Sequence, residues 1–168
     1  MTIFETERLI VRPFTKTDYA NYFSLHGNAE VMRYIRPAKT RKECDALFDE
    51  TILYAVPHPF MGRWAVDEKI SGQFIGTFVI VPIPSDEEKI QLGYSFIPAA
   101  WGKGFATELT IAGLAYFRDQ TPLTEIYAVT ETLNIASEKV LRKAGFQPFD
   151  KKMEGEKELQ VFIVRRSD

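Results

Sequence analysis

The first third of the chain has apolar spacing typical of one strand followed by helices. Residues 8–12 fit a short strand that Pro13 ends, and Asp18 is a suitable cap for a helix to about Gly27. Between residues 40 and 56 the apolar positions recur every three or four residues, which predicts an amphipathic helix. Two prolines follow this segment directly, so the helix must end there.

The remainder of the chain changes to strand-like spacing and then alternates strands with helices. Strands are predicted at residues 63–67, 74–82 and 89–98, with turn residues between them and no intervening helix, which indicates an antiparallel meander. Beyond Pro98 the pattern predicts a loop, a helix over 104–117, a strand over 126–130, a helix over 134–144 and a last strand over 159–165. The strand–helix–strand unit requires two parallel strands with a right-handed connection, so the sheet is mixed.

Composition narrows the class of protein without identifying it. The 168 residues are 45% hydrophobic and 26% charged and contain no repeat or flexible linker, so we expect a single domain spanning residues 1–168. The near balance of 21 basic and 23 acidic residues argues against a nucleic-acid partner. One cysteine, Cys44, and two scattered histidines provide neither a disulfide nor a zinc site, so no metal is expected. The sequence shows no long apolar run and no signal-peptide pattern, and we therefore expect a cytoplasmic protein without a membrane partner.

The most informative segment is a glycine loop between a strand and a helix, at residues 92–108. Gly102 and Gly104 allow the backbone close to a ligand, and the first turn of the following helix adds unpaired N–H donors and a positive dipole end. This chemistry suits a pyrophosphate. The spacing matches neither the P-loop nor the dinucleotide fingerprint. Taken alone, the two glycines could equally form a tight turn without a ligand.

The order of elements and several motifs resembles the GNAT superfamily of N-acetyltransferases, in particular its RimJ/RimL-type branch. The resemblance covers most of the chain and is strongest at residues 101–108 and 134–146. It implies an α/β fold with a mixed, mostly antiparallel central sheet flanked by helices, in which the parallel strands splay apart at the cofactor site. It also implies transfer of an acetyl group from acetyl-coenzyme A to a primary amine by direct attack in a ternary complex.

The resemblance implies where the cofactor binds. The strand containing Gly93 is expected to bulge and part from the strand at 126–130, so that the pantetheine arm enters the gap. The N–H groups of Phe96 and Ile97 would then stabilise the oxyanion. Trp101 stands where the wider superfamily has Gln or Arg, which makes its side-chain contact doubtful. The residues expected to bind cofactor are Phe96, Ile97, Trp101, Gly102, Lys103, Gly104, Phe105, Ala106, Thr107 and Asn134.

Candidates for proton transfer lie just after the strand at 126–130. Ser137 is the expected general acid for the departing thiolate, although Asn134 and Ser137 would also suit the start of any helix. Glu131 is the first candidate for the general base, with a solvated loop acid as the alternative. Trp64 and Tyr94 are expected to contact the substrate, with a place in the aromatic core of the sheet as the alternative.

The acceptor amine is less well defined by the sequence. An α-amino group has a pKa of about 8 and a lysine about 10.4, so deprotonating the lysine near neutrality costs about 3 kcal/mol more. A protein or peptide α-amino group is therefore expected. A small amine such as a polyamine, amino acid or antibiotic is the alternative, as is a non-catalytic coenzyme A sensor. Arg33, Tyr34 and Arg36 would suit an acidic substrate, or are ordinary surface residues. A monomer and a homodimer both remain open.

Overall fold

The computed structural model describes residues 1–167, which form one eight-stranded sheet with helices on both faces. The strands are β1 (Phe4–Glu5), β2 (Leu9–Pro13), β3 (Gly62–Glu68), β4 (Phe74–Ile83), β5 (Asp86–Phe96), β6 (Glu125–Glu131), β7 (Gln147–Glu154) and β8 (Lys157–Arg165). Their order is β1-β2-β3-β4-β5-β6-β8-β7. Neighbours pair antiparallel except β5 and β6, which are parallel, so the expectation of a mixed, mostly antiparallel sheet is confirmed.

Five helices flank this sheet. They are α1 (Tyr19–His26), α2 (Ala29–Met32), α3 (Arg41–Phe48), α4 (Phe105–Gln120) and α5 (Ile135–Lys143). A single π-helical turn, Asp49–Leu53, continues α3, and a short 3-10 turn, Pro98–Ala100, precedes the glycine loop. Helix α4 is the crossover that makes β5 and β6 parallel.

The two faces of the sheet carry different helices. The face that we call the α4 face holds the main core, in which alternate strand residues pack against α4 and α5; its central members are Phe78, Ile80, Leu92, Phe96, Leu109, Ile126, Leu141 and Phe162. The opposite face, which we call the α1 face, is covered by α1, α2 and α3 through two smaller clusters around Phe48 and Met32. Because strand side chains alternate, every second residue within a regular stretch of one strand reaches the same face.

Three local features differ from the sequence-based expectation. Asp18 marks the start of α1 but does not cap it, since its carboxylate instead binds the Arg12 guanidinium (2.8 Å). The helix expected over residues 40–56 starts with a capping box between Thr40 and Glu43 but ends at Phe48, before the prolines. Strands β1 and β7 and helix α2 were not predicted, because each is short or largely exposed.

Among residues 1–167, no helix has the length and apolar character needed to cross a bilayer. Within the same range, His, Cys, Asp and Glu side chains do not gather in threes to hold a metal ion. Cys44 is fully buried among aromatic side chains, as expected of a core residue.

Candidate active site

The glycine loop opens onto the first turn of α4. Gly102 and Gly104 have φ angles of 72° and 79°, which are left-handed conformations that residues with a Cβ rarely adopt. Gly104 is also the N-cap of α4 and offers no side chain to the helix. The N–H groups of Phe105, Ala106 and Thr107 therefore have no intrahelical acceptor and lie at the positive end of the helix dipole. This arrangement can hold a diphosphate by backbone groups alone.

Arg8 fixes the loop in place, a role that sequence reasoning missed. Its guanidinium donates to the Lys103 carbonyl oxygen (2.9 Å) and pairs with Glu108 (2.7 Å), while lying 4.4 Å from the centre of the Phe105 ring. Thr6 also donates to Glu108. Burial works to raise the pKa of Glu108, but the hydrogen bonds from Thr6 and Arg8 leave it lowered, so Glu108 stays ionised. The turn before β2 thus holds the loop across about 100 residues of sequence.

The Trp101 side chain binds the protein rather than pointing into the loop. Its indole N–H donates to the Phe96 carbonyl oxygen (2.9 Å), although the residue is 45% exposed. Lys103 is exposed, and its carbonyl oxygen is taken by Arg8. The contacts available to a ligand here come from the backbone of residues 102–107.

The parallel strands separate beyond a single pair. Gln91 and Tyr127 are the one registered pair between β5 and β6 in residues 1–167. The pairing of β5 with β4 is unbroken from Ile90 to Phe96, so the bulge expected at Gly93 is absent from that ladder. Gly93 is instead a site of close approach, since a Cβ there would lie 3.1 Å from Val79 Cγ2. The gap is confined to the β6 side of the strand.

The direction of the β5 amides follows from its pairing with β4. The Ile97 N–H donates to the Ile75 carbonyl oxygen (2.9 Å), so it is directed at β4 and is not free to bind an oxyanion as expected. Because successive residues of an antiparallel strand direct their N–H groups to opposite sides, those of Tyr94 and Phe96 are directed away from β4. They lie on the side where β6 has separated.

A pair of hydroxyl groups faces the gap from the α4 face. The Tyr94 hydroxyl lies 3.3 Å from Ser137 Oγ, and the Ser137 N–H is capped by Asn134 Oδ1 (3.2 Å). Burial raises the pKa of Tyr94, with the Ser137 contact opposing, so the phenol stays protonated near neutrality. Tyr94 was expected to contact substrate; the structure brings it to Ser137, on the side of α5.

Glu131 lies at the end of β6, on the other face. Its neighbours of the same parity, Tyr127 and Val129, belong to a cluster separate from the main core, whereas Ala128 packs on the α4 face. Extending the Gln91–Tyr127 register places Glu131 level with Ser95 across the gap. Glu131 Oε2 is shielded from solvent and has no hydrogen-bond donor in the described structure, although Lys157 Nζ is 3.8 Å away.

Trp64 does not line this site. It is 7% exposed and its ring is stacked on Phe78 in the core of the α4 face, with centroids 5.9 Å apart. The structure places Trp64 in the core, and its contact with substrate stays a prediction. An even-numbered position on β3 places the side chain under α4 instead of at the surface.

Comparison with known proteins places these features in a family. Residues 8–147 match the model of the acetyltransferase (GNAT) domain. The chain is 32% identical over 146 residues to the uncharacterized N-acetyltransferase YoaA of Bacillus subtilis, covering 86% of this chain and 82% of that protein. The fold resembles a GNAT-family acetyltransferase from Bacillus anthracis (TM-score 0.84, 21% identity, 100% of both chains). It also resembles the Vibrio cholerae spermidine N-acetyltransferase solved with CoA and spermine (TM-score 0.77, 19% identity, 95% and 96% of the two chains).

Proposed function

Because this chain belongs to the GNAT family of acetyltransferases, which use acetyl-coenzyme A, we propose that it acetylates a protein or peptide α-amino group by direct attack within a ternary complex. Family membership supports the acetyl transfer itself. The geometry of the separated strands supports the choice of acceptor and the roles of individual residues. The observation that carries them is the separation of β5 and β6 beyond Gln91, with a donor-rich loop at one end and titratable groups on both faces.

The cofactor enters from the α4 face. Its diphosphate binds the N–H groups of residues 102–107, where two left-handed glycines turn the backbone toward the ligand. The amide-bearing arm then follows β5 and pairs with the outward N–H groups of Tyr94 and Phe96, as an added strand would. The Phe96 N–H is the donor nearest the end of the strand and stabilises the charge that develops on the thioester oxygen. Asn134 Nδ2 remains available to the arm, since only the Oδ1 atom caps α5.

Tyr94 and Ser137 supply the proton to the departing thiolate. Ser137 lies next to the thiol, and the Tyr94 phenol, kept protonated by burial, can reprotonate it through the 3.3 Å contact. A thiol has a pKa near 8.5 and leaves readily, so this assistance contributes modestly to the rate.

Glu131 accepts the proton of the attacking amine. It reaches the gap from the α1 face, opposite the hydroxyl pair, so acid and base act on the two sides of the reacting carbon. Its shielded Oε2 atom, which lacks a hydrogen-bond donor in residues 1–167, is free to accept a proton directly or through one water. An α-amino group, with a pKa of about 8, suits a carboxylate base better than a lysine at about 10.4.

A small amine is the second candidate acceptor. It is favoured by the likeness of the fold to a spermidine N-acetyltransferase. The two candidates make different demands on the α1 face, because a polyamine is a multiple cation and needs carboxylates around it, whereas a peptide N-terminus carries one positive charge.

Thiol release from acetyl-coenzyme A tests the proposal. The purified chain is incubated with acetyl-coenzyme A and, separately, short peptides, peptides with a blocked N-terminus, spermidine and free amino acids, and the thiol is titrated with a disulfide reagent. The single cysteine is fully buried, so the protein adds little background. We expect release with free-N-terminus peptides and none with blocked ones. Coenzyme A binding without release for any amine would refute catalysis and leave a sensor.

A further inference from the structure

A group of basic and aromatic side chains on the α1 face is not used by the mechanism above. We call it the basic cluster and define it as Tyr22, His26, Arg36 and Arg63. The Tyr22 ring is stacked on His26 with centroids 4.0 Å apart, and Arg36 Nη2 lies 2.7 Å from His26 Nδ1. Burial and the positive charges of Arg36 and Arg63 lower the pKa of His26 to about 3, so the imidazole is neutral and Nδ1 accepts from Arg36.

The basic cluster has an unbalanced positive charge. Arg36 Nε is shielded from solvent and has no hydrogen-bond acceptor in the described structure. Throughout residues 1–167, no carboxylate lies within ion-pair distance of Arg36 or Arg63. Arginine does not lose its proton in proteins, and a shielded cation without an anionic partner is costly. Arg12, which is also half-buried, illustrates charge compensation, since it pairs with both Asp18 and Asp67.

The position of Arg63 connects the basic cluster to the reaction site. Arg63 pairs with Val79 across β3 and β4, and Val79 pairs with Gly93 across β4 and β5. These three residues form a row on the α1 face that ends beside the gap. Adjacent strands lie about 4.8 Å apart, so the row is about 10 Å long. Arg63 is exposed and Gly93 has no side chain, which leaves this row open to a ligand.

We propose that the basic cluster binds an anionic group of the acceptor, so that the preferred substrate is a peptide with an acidic side chain in its first two residues. This inference rests on the proposed function and specifies its substrate class. Two extended residues span about 7 Å, which allows the amine to reach the gap while the carboxylate meets the long side chains of Arg36 and Arg63. A polyamine, with no anion to offer and several positive charges, is disfavoured at this face.

The test compares acceptors that differ in one charge. Initial rates are measured with peptides of identical sequence beginning with Asp or Glu and with their Asn or Gln counterparts, and with spermidine and free glutamate. We expect the acidic peptides to be favoured in kcat/KM by about 10- to 100-fold, the range for a hydrogen bond to a charged group. Free glutamate carries the same side-chain anion and a second one, its α-carboxylate, so acetylation of glutamate as fast as the acidic peptides would overturn the assignment of a peptide acceptor.

Variants assign the preference to particular residues. Arg63 is exposed, so the Arg63→Gln variant should fold normally. We expect this variant to lose the preference for acidic peptides, with the KM for acetyl-coenzyme A and the rate with the Asn peptide unchanged. Arg36→Gln should act in the same direction. Arg33→Gln is the matched control, because Arg33 is a neighbouring exposed arginine that lies over the Tyr34 ring and not in the cluster. It should retain the full preference.

The failures of the two proposals are distinguishable. Acetylation of acidic and neutral peptides at equal rates, or a preference for spermidine, would overturn the anion site while leaving acetyl transfer intact. An acidic preference that survives in Arg63→Gln and Arg36→Gln would also overturn it. Absence of thiol release with every amine would refute both the proposed function and the inference built on it.

Discussion

Replacement of Gly104 by alanine tests the backbone cradle most directly. At φ 79° an alanine is strained by about 1–2 kcal/mol. The nearest atom to the new Cβ is Arg8 Nη2 at 3.5 Å, which is ordinary contact, so the cost is conformational and not steric. In the ligand-free protein the loop can relieve the strain by leaving the left-handed conformation. Ligand binding then has to restore the left-handed conformation.

The expected effect on affinity follows from that strain. If the ligand-free loop relaxes, the Kd for coenzyme A rises by about 5- to 30-fold, the equivalent of 1–2 kcal/mol. Gly72→Ala is the matched control, because Gly72 has φ 67°, has open space at its Cβ and lies in the exposed turn between β3 and β4. Its strain should lower the free energy of unfolding by about 1–2 kcal/mol and leave the Kd unchanged.

The assay is isothermal titration of coenzyme A together with denaturant unfolding of both variants. The strain at residue 104 must appear either in the free energy of unfolding of the free protein or in the binding free energy of coenzyme A. The losses in these two quantities should add up to about 1–2 kcal/mol. An alanine at 104 that changes neither quantity would refute the argument that this loop needs a left-handed residue. An equal loss of affinity in Gly72→Ala would show that the effect is not local.

Three further predictions concern proton transfer and stability. Ser137→Ala should lower kcat by about 10- to 100-fold with the KM for acetyl-coenzyme A unchanged, and an unchanged kcat would remove Ser137 from the mechanism. Glu131→Gln should lower kcat/KM near neutrality by about 100-fold, with partial recovery at a pH where the amine is already neutral; Glu125→Gln on the same strand is the control. Burial works against ionisation of Asp18, but hydrogen bonds, chiefly from Arg12, lower its pKa from 3.8 to about 2. The ionised Asp18 carboxylate therefore stabilises the folded protein by about 2 kcal/mol above about pH 4, and this contribution is lost as the pH falls toward 2. In urea titrations, Asp18→Asn should have a free energy of unfolding lower by about this amount at pH 7, and that free energy should change less between pH 4 and pH 2 than in the unsubstituted protein.

The parts of the fold that were predictable are those with strong local signals. The meander could be predicted from the alternation of apolar and polar residues in β3, β4 and β5. The parallel unit could be predicted from the glycine loop before α4, because glycine is a strong local signal of a turn. The capping box at Thr40 and Glu43 could have been read from its spacing, but its helix ends early in a π turn that has no simple sequence signal. Strand β7 is almost wholly exposed and lacks an apolar alternation to reveal it.

The parts of the site that were missed depend on contacts between distant segments. Arg8 meets Glu108 and Lys103 only after β2 is placed beside the start of α4, and nothing near Arg8 in sequence indicates this. The face that Trp64 reaches depends on the register of β3 against β2 and β4, and a shift of one residue in that register moves the side chain to the other face. The basic cluster likewise joins α1, β3 and the segment after α2, which are distant in sequence, so its proximity and its lack of a nearby carboxylate among residues 1–167 depend on the fold.

The tryptophan at position 101 can be understood from the same strand separation that opens the site. When β6 leaves β5, the outward carbonyl oxygens of β5 lose their partners together with the outward N–H groups. A ligand arm that pairs with the freed N–H of Phe96 still leaves the Phe96 carbonyl to be satisfied. The Trp101 indole N–H does so at 2.9 Å, and an indole is a donor that cannot also accept. Because the N–H and C=O of one extended residue are directed to the same side of a strand, Trp101 helps to hold Phe96 in the conformation that directs its N–H into the gap. A guanidinium or amide at this position could bind phosphate, whereas the tryptophan N–H is taken by the Phe96 carbonyl oxygen; in the proposed complex, phosphate binding therefore falls to the backbone, and Trp101 stabilises the edge of the separated strand.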